Sequence, residues 1–188
     1  MKQAEAAERK QVVESDLGKA EPALIAALAS VQGVGNKQIT ELQQYKKPPE
    51  RVQIALEPVI ALLMDSNKTP EWKTIQEQLR KPDFKNNVLG FNKDNISPAC
   101  KNFIQKQYLN SGKYDIEGFY KASKAAGPLA DWMKSIIEYA DIFERIAPLR
   151  AEVEALETEA QKMEAEMAEL EAEITTLQNN YDTMQEEF

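Results

Sequence analysis

The sequence predicts an all-α chain: a small bundle of about six helices at the tip of an intramolecular antiparallel coiled coil. Two apolar seams and one absence predict it. The C-terminal residues Leu149, Val153, Leu156, Ala160, Met163, Met167, Leu170, Ile174, Leu177, Tyr181, Met184 and Phe188 recur at steps of four and three, the a/d rhythm of a left-handed coiled coil. A weaker seam of the same rhythm, Val13, Leu17, Ala20, Leu24 and Ala27 (or Leu28), lies near the N-terminus. Nowhere does period-2 alternation with β-branched enrichment persist, so no sheet is expected.

A helix with a narrow apolar stripe and a charged remainder cannot bury that stripe alone, and the partner expected here is the other end of the same chain. The expected division is a first coiled-coil helix over 1–28, a helical domain over 29–147 and a second coiled-coil helix over 148–188. The first seam is thin, because alanine buries far less apolar area than leucine. Pro22 and Pro148 flank the central domain. Each removes a backbone hydrogen bond from its helix, and both are expected to act as hinges.

The central block punctuates itself with proline and glycine. Val31, Val34, Ile39 and Leu42 suggest a helix over 29–45 that Gly33 and Gly35 interrupt and Pro48-Pro49 ends. Val52, Ala55, Leu56, Val59, Ile60 and Leu63 mark a buried helix over 50–64, with a kink expected at Pro58. Thr69-Pro70 reads as N-cap and first residue of a helix to Lys81, bearing Trp72, Ile75 and Leu79. A short helix over 84–90 follows, then a capped start at Ser97-Pro98 running to Leu109. A helix over 116–126, broken by Gly127-Pro128, precedes a long amphipathic one from Leu129 through Trp132, Met133, Ile136, Ile137 and Tyr139.

Net charge is −8 over 188 residues, but it is unevenly placed. From Leu149 onward only Arg150 and Lys162 are basic against a long acidic series, whereas the central block is mildly basic. Cys100 is the one cysteine, which excludes an intrachain disulfide framework and suits a reducing compartment. No apolar run approaches the ~18 residues of a membrane span, and no signal peptide is recognisable. No stop signal follows Phe188, so the chain is expected to break off within a helix.

The catalytic inventory is nearly empty. Histidine, the commonest general base and metal ligand, is absent. Gly33-Val34-Gly35-Asn36-Lys37 lacks the spacing of a phosphate loop and no strand precedes it. No enzyme activity, cofactor or metal is expected.

Several segments in order then point to a family. They are Ala20-Glu21-Pro22-Ala23-Leu24, Glu41-Leu42, Lys47-Pro48-Pro49, Trp72-Lys73, Gly90-Phe91-Asn92-Lys93-Asp94-Asn95-Ile96, Ala122-Ser123-Lys124-Ala125-Ala126-Gly127-Pro128-Leu129 with Trp132, and Tyr139 leading to Pro148-Leu149-Arg150. Over about residues 15–157 this set resembles the stalk tip and microtubule-binding domain of a dynein heavy chain. The resemblance implies a non-catalytic module that docks on αβ-tubulin, its affinity switched by sliding of the stalk helices, with the motor's ATPase ring elsewhere in the heavy chain. Carried onto this sequence, it implies microtubule contacts at Lys121, with Glu117 one helical turn before it, and at Lys81 or Arg80. Lys37 and Lys124 are further candidates. Where family members tend to carry a basic pair, this chain has Gly35-Asn36, with Lys37 one position later.

The implied partners are microtubules and the rest of the heavy chain, with neither nucleic acid nor membrane, in the cytoplasmic cytoskeleton. Gly127-Pro128-Leu129 through Pro148-Leu149-Arg150 looks cytoplasmic; Phe91–Ile96 looks axonemal. Two other classes compete: a coiled-coil arm binding another protein or nucleic acid, and a structural arm whose central domain dimerises. Acidic arms would repel phosphate along their length, and the glycine-rich signature of a dimerising hinge is missing.

Overall fold

The computed structural model describes residues 2–186, and among them the only regular elements are helices. In chain order these are α1 (Lys2–Gln32), α2 (Asn36–Gln44), α3 (Glu50–Leu63), α4 (Trp72–Leu79), α5 (Phe84–Leu89), α6 (Pro98–Gln107), α7 (Ile116–Ala122) and α8 (Ala126–Glu186), with a 3₁₀ turn over Leu109–Ser111. The chain divides into two compact units, residues 1–15 with 145–188, and residues 16–144. No helix among the described residues is long and apolar enough to cross a membrane.

In the first unit the two ends of the chain pair. Arg9 forms an ion pair with Glu152, and Lys10 Nζ lies 3.0 Å from Glu157 Oε1. Val13, Ile146 and Val153 are buried between these charged flanks, as a coiled-coil seam requires. Farther along α8 the row Met163, Met167, Leu170, Ile174, Leu177, Tyr181 and Met184 is exposed, Leu177 by 68%. Phe188, the last expected seam position, lies outside the described residues. Pro148 is interior to α8, well beyond the first turn where proline is innocuous.

The second unit is the bundle. Helix α3 lies at its centre and packs against α4, α6 and α7, so Val52, Ala55, Leu56, Val59, Ile60, Ala61 and Leu62 are all buried. A helix covered on several sides must be apolar on several sides, which is why its sequence reads as nearly unbroken hydrophobic. Trp132, Met133 and Ile137 of α8 and Ile75 and Leu79 of α4 are among the largest fully buried side chains of this core. Ala20, Leu24, Ala27 and Val31 of α1 belong to this same core. Pro22 is interior to α1.

Several helix ends differ from the sequence expectation. The expected segment over 29–45 is split: α1 continues to Gln32 and α2 starts afresh at Asn36. There the Gly35 N–H donates to Gln38 Oε1 at 2.7 Å, a side-chain bond that stabilises a new helix start. Thr69-Pro70 does not open α4, because the N-cap is Glu71 and Thr69 is occupied with the Tyr108 hydroxyl at 3.3 Å. Gly127-Pro128 breaks nothing: both lie in the first turn of α8, where a missing N–H costs no intrahelical bond. The Ser97-Pro98 start is as expected, with Cys100 N–H donating to Ser97 Oγ at 3.2 Å.

Buried weakly acidic groups predict an alkaline limit to stability. Burial, with Asp65 adding to it, pushes the Cys100 thiol up to about 11. Burial pushes the Tyr108 phenol up to about 12 and also raises the Tyr114 phenol well above its ordinary value. The folded state therefore keeps protons that the unfolded chain releases. Their stabilisation is complete below the ordinary thiol and phenol values and is lost as pH rises through about 11 to 12. Urea unfolding midpoints are expected to fall between about pH 8 and about pH 11, and Cys100→Ser should reduce the fall. Equal midpoints would show that these groups titrate normally.

Candidate functional site, a basic groove between α2 and α7

The bundle carries a surface groove of about 550 Å³ whose walls are α2 and the segment from α7 to the start of α8. Lys37, Gln38, Glu41, Leu42 and Tyr45 line one wall, and Tyr120, Lys121, Ala122, Ser123 and Lys124 the other. Lys37 and the sequence-distant pair Lys121 and Lys124 thus face one concavity in a chain that is acidic overall. All three are exposed. Clustered charge beside low-dielectric walls focuses potential, so such a groove attracts anionic surfaces.

Local chemistry fixes each wall. The C-terminal end of α2 presents carbonyls without helical partners, and α4 supplies donors for them. Gln76 Nε2 donates to Gln43 O and Tyr45 O, each at 2.9 Å, and Trp72 Nε1 donates to Tyr45 O at 2.9 Å. In return Gln43 Nε2 donates to Leu79 O at 2.7 Å. On the opposite wall, Ser123 follows α7 in extended geometry and its Oγ accepts from Ala125 N–H and Ala126 N–H, both at 3.2 Å. One serine therefore ends α7 and caps α8. A Cβ at Gly127 would stand 2.7 Å from Tyr120 Cα, so only glycine lets the first turn of α8 approach α7 this closely. The Tyr120 hydroxyl donates to Asp131 Oδ2 at 3.3 Å. Burial, with Asp131 facing it, pushes that phenol up despite the Ser30 hydroxyl.

The residues expected from sequence fall into two places. Lys37, Lys121 and Lys124 share the groove. Arg80 is the C-cap of α4 and Lys81 follows it, both exposed and neither lining the groove. Glu117 pairs with Lys121 at 2.9 Å across one helical turn, with side chains 80% and 71% exposed. Sequence reasoning missed Glu41, Tyr45 and Tyr120, whose place on the groove follows from packing between distant helices. It also missed Lys101 of α6, which is buried and paired with Glu144 and, at 3.8 Å, Asp141 of α8. Among the described residues no group of three or more potential ligands is placed to hold a metal.

An all-helical bundle bearing a basic surface groove, with the chain's own ends paired as helices, defines a helical binding module. The family described as the microtubule-binding stalk of dynein motor matches residues 1–188. Cytoplasmic dynein heavy chains are similar: that of Paramecium tetraurelia is 37% identical over 77% of this chain, and that of Neurospora crassa 38% over 80%. In each case the chain spans 3% of the relative's length. The solved microtubule binding domain of dynein-c superposes with a TM-score of 0.62 at 24% identity, over 72% of this chain and 94% of that one. The chain belongs to the dynein microtubule-binding stalk family.

Proposed function

We propose that this chain is the track-binding module of a dynein heavy chain, docking on αβ-tubulin through the groove between α2 and α7. The observation that carries this reading is the convergence of Lys37, Lys121 and Lys124 on one concavity of the mildly basic central block. Tubulin's outer surface is acidic, and opposite charge steers encounter and sets orientation. Lys81 and Arg80, on a different stretch of the bundle surface, form a second basic contact in this reading.

Co-sedimentation with microtubules tests it. Binding is expected at low salt and should weaken steeply as the screening length shortens from about 30 Å at 0.01 M to about 8 Å at 0.15 M. Salt-insensitive binding, or a gel shift with RNA in place of co-sedimentation, would overturn it. Glu117→Gln gives a finer check. Glu117 occupies the Lys121 ammonium, and exposed pairs of this spacing are worth little to folding. Removing the carboxylate should leave the melting temperature unchanged and tighten binding roughly twofold, the scale of one such pair. Weaker binding would mean that Glu117 itself contacts the partner.

The rest of the heavy chain is the second proposed partner. The exposed apolar row from Met163 to Met184 in α8 keeps the four-three rhythm of the buried part of its seam, and a helix from the longer chain would cover it. On this reading the chain itself is non-catalytic and relays a signal from an ATPase elsewhere in the heavy chain by sliding of the stalk helices. Pro22 and Pro148, each costing its helix a backbone hydrogen bond, are where those helices flex. The similarity to cytoplasmic heavy chains favours a cytoplasmic motor on cytoskeletal tracks over an axonemal one.

A further inference from the structure

The two ends of α2 are fastened by different chemistry. Its C-terminal end is held to α4 by the neutral donors of Gln76, Trp72 and Gln43. Its N-terminal end follows a three-residue turn out of α1, where carbonyls are left over because the helix has stopped. Two of them, Gln32 O and Val34 O, accept from a single donor: the ammonium of Lys85 on α5, at 2.6 and 2.7 Å. The contact is favourable twice over, as a pair of charge-assisted hydrogen bonds and as a cation at the negative end of α1. It joins residues more than fifty positions apart, and it sits immediately before the turn of α2 that presents Lys37 to the groove. Val34 is buried, Gly35 N–H is already committed to Gln38, and Gly35 O accepts from Gln38 N–H and Ile39 N–H, so the backbone between the clamp and Lys37 is short and anchored at Gly35.

We propose that Lys85 is a positioning residue for the groove: by gripping the carbonyls between α1 and α2 it fixes the entry of α2, and so the place of Lys37 opposite Lys121 and Lys124. This role rests on the groove being the docking surface. Lys85 itself does not line the groove and acts only through α2. The four-bond set at the other end of α2 is retained without it, so its loss should loosen the entry turn and leave the bundle folded.

The test uses the full chain with Lys85→Met, which keeps the aliphatic stem and removes the donors, and Lys85→Arg, which keeps charge and donors. Lys85→Met should raise the microtubule Kd about fivefold, within the coupling seen for residues of one network, and speed amide exchange at 33–37. Lys85→Arg should restore most of the affinity and the protection. Combined with Lys37→Ala, Lys85→Met should cost little more than Lys37→Ala alone; combined with Lys121→Ala, the two losses should add. Wild-type affinity in Lys85→Met, or full additivity with Lys37→Ala, overturns the positioning role while leaving the groove intact. Unchanged affinity in Lys37→Ala overturns the groove reading, and this role with it.

Discussion

Lys121→Glu should weaken microtubule binding about tenfold or more, equivalent to ~1.4 kcal/mol, without lowering the melting temperature. The side chain is 71% exposed and its ion pair is with Glu117, also exposed, so folding loses little when the charge is reversed. Binding loses more. The substitution removes a cation from a groove that holds three and leaves two carboxylates, at 117 and 121, facing an acidic surface. Close charge pairs across an interface couple by more than this figure. Glu164→Lys, on the exposed part of α8, serves as the control and should change affinity little, since it shifts net charge by the same two units in the opposite direction without altering the groove lining. If both substitutions shift Kd by similar amounts in magnitude, net charge governs association and the groove is not the contact.

Trp132→Ala should give the largest loss of stability of any single substitution considered, about 3–5 kcal/mol. The indole is fully buried in the second unit and meets the Phe91 ring edge to face, centroids 5.6 Å apart. Truncating a side chain with no exposed surface leaves a cavity that its neighbours close only in part. Trp132→Phe should cost far less than volume alone suggests. Trp132 Nε1 is a buried donor without an acceptor among the described residues, a group whose burial is itself destabilising. Losing the N–H partly offsets the lost ring atoms. Denaturant midpoints for the two variants measure the difference. A Trp132→Phe loss as large as that of Trp132→Ala would mean that the N–H has a partner, such as a buried water.

Much of the architecture was legible because helices write their periodicity into the chain. The coiled-coil rhythm around Val153 and Val13, the run through Val52 to Leu62, and the capped start at Ser97-Pro98 all rest on interactions within a few residues. Where expectation and structure part, a distant group intervened. Thr69 is taken up by Tyr108 rather than by its own helix, and Gly127 is required by Tyr120 on another helix, not by a break in its own. The groove was half legible. Resemblance pointed to Lys37, Lys121 and Lys124 separately, but nothing in their spacing says that they share one concavity.

By itself the sequence determined the helical class, the acidic and basic partition of the chain, the four-three spacing of its apolar residues and the poverty of catalytic side chains. Each is a property of composition or of short-range repetition, fixed before any packing occurs. Tertiary structure alone decided that α2 and α7 stand across a groove, that Lys101 is buried against Asp141 and Glu144, and that Lys85 caps a helix more than fifty residues away. Orphan carbonyls at a helix end accept any donor that packing brings within reach, and which donor arrives depends on how non-neighbouring helices pack, about which local periodicity is silent.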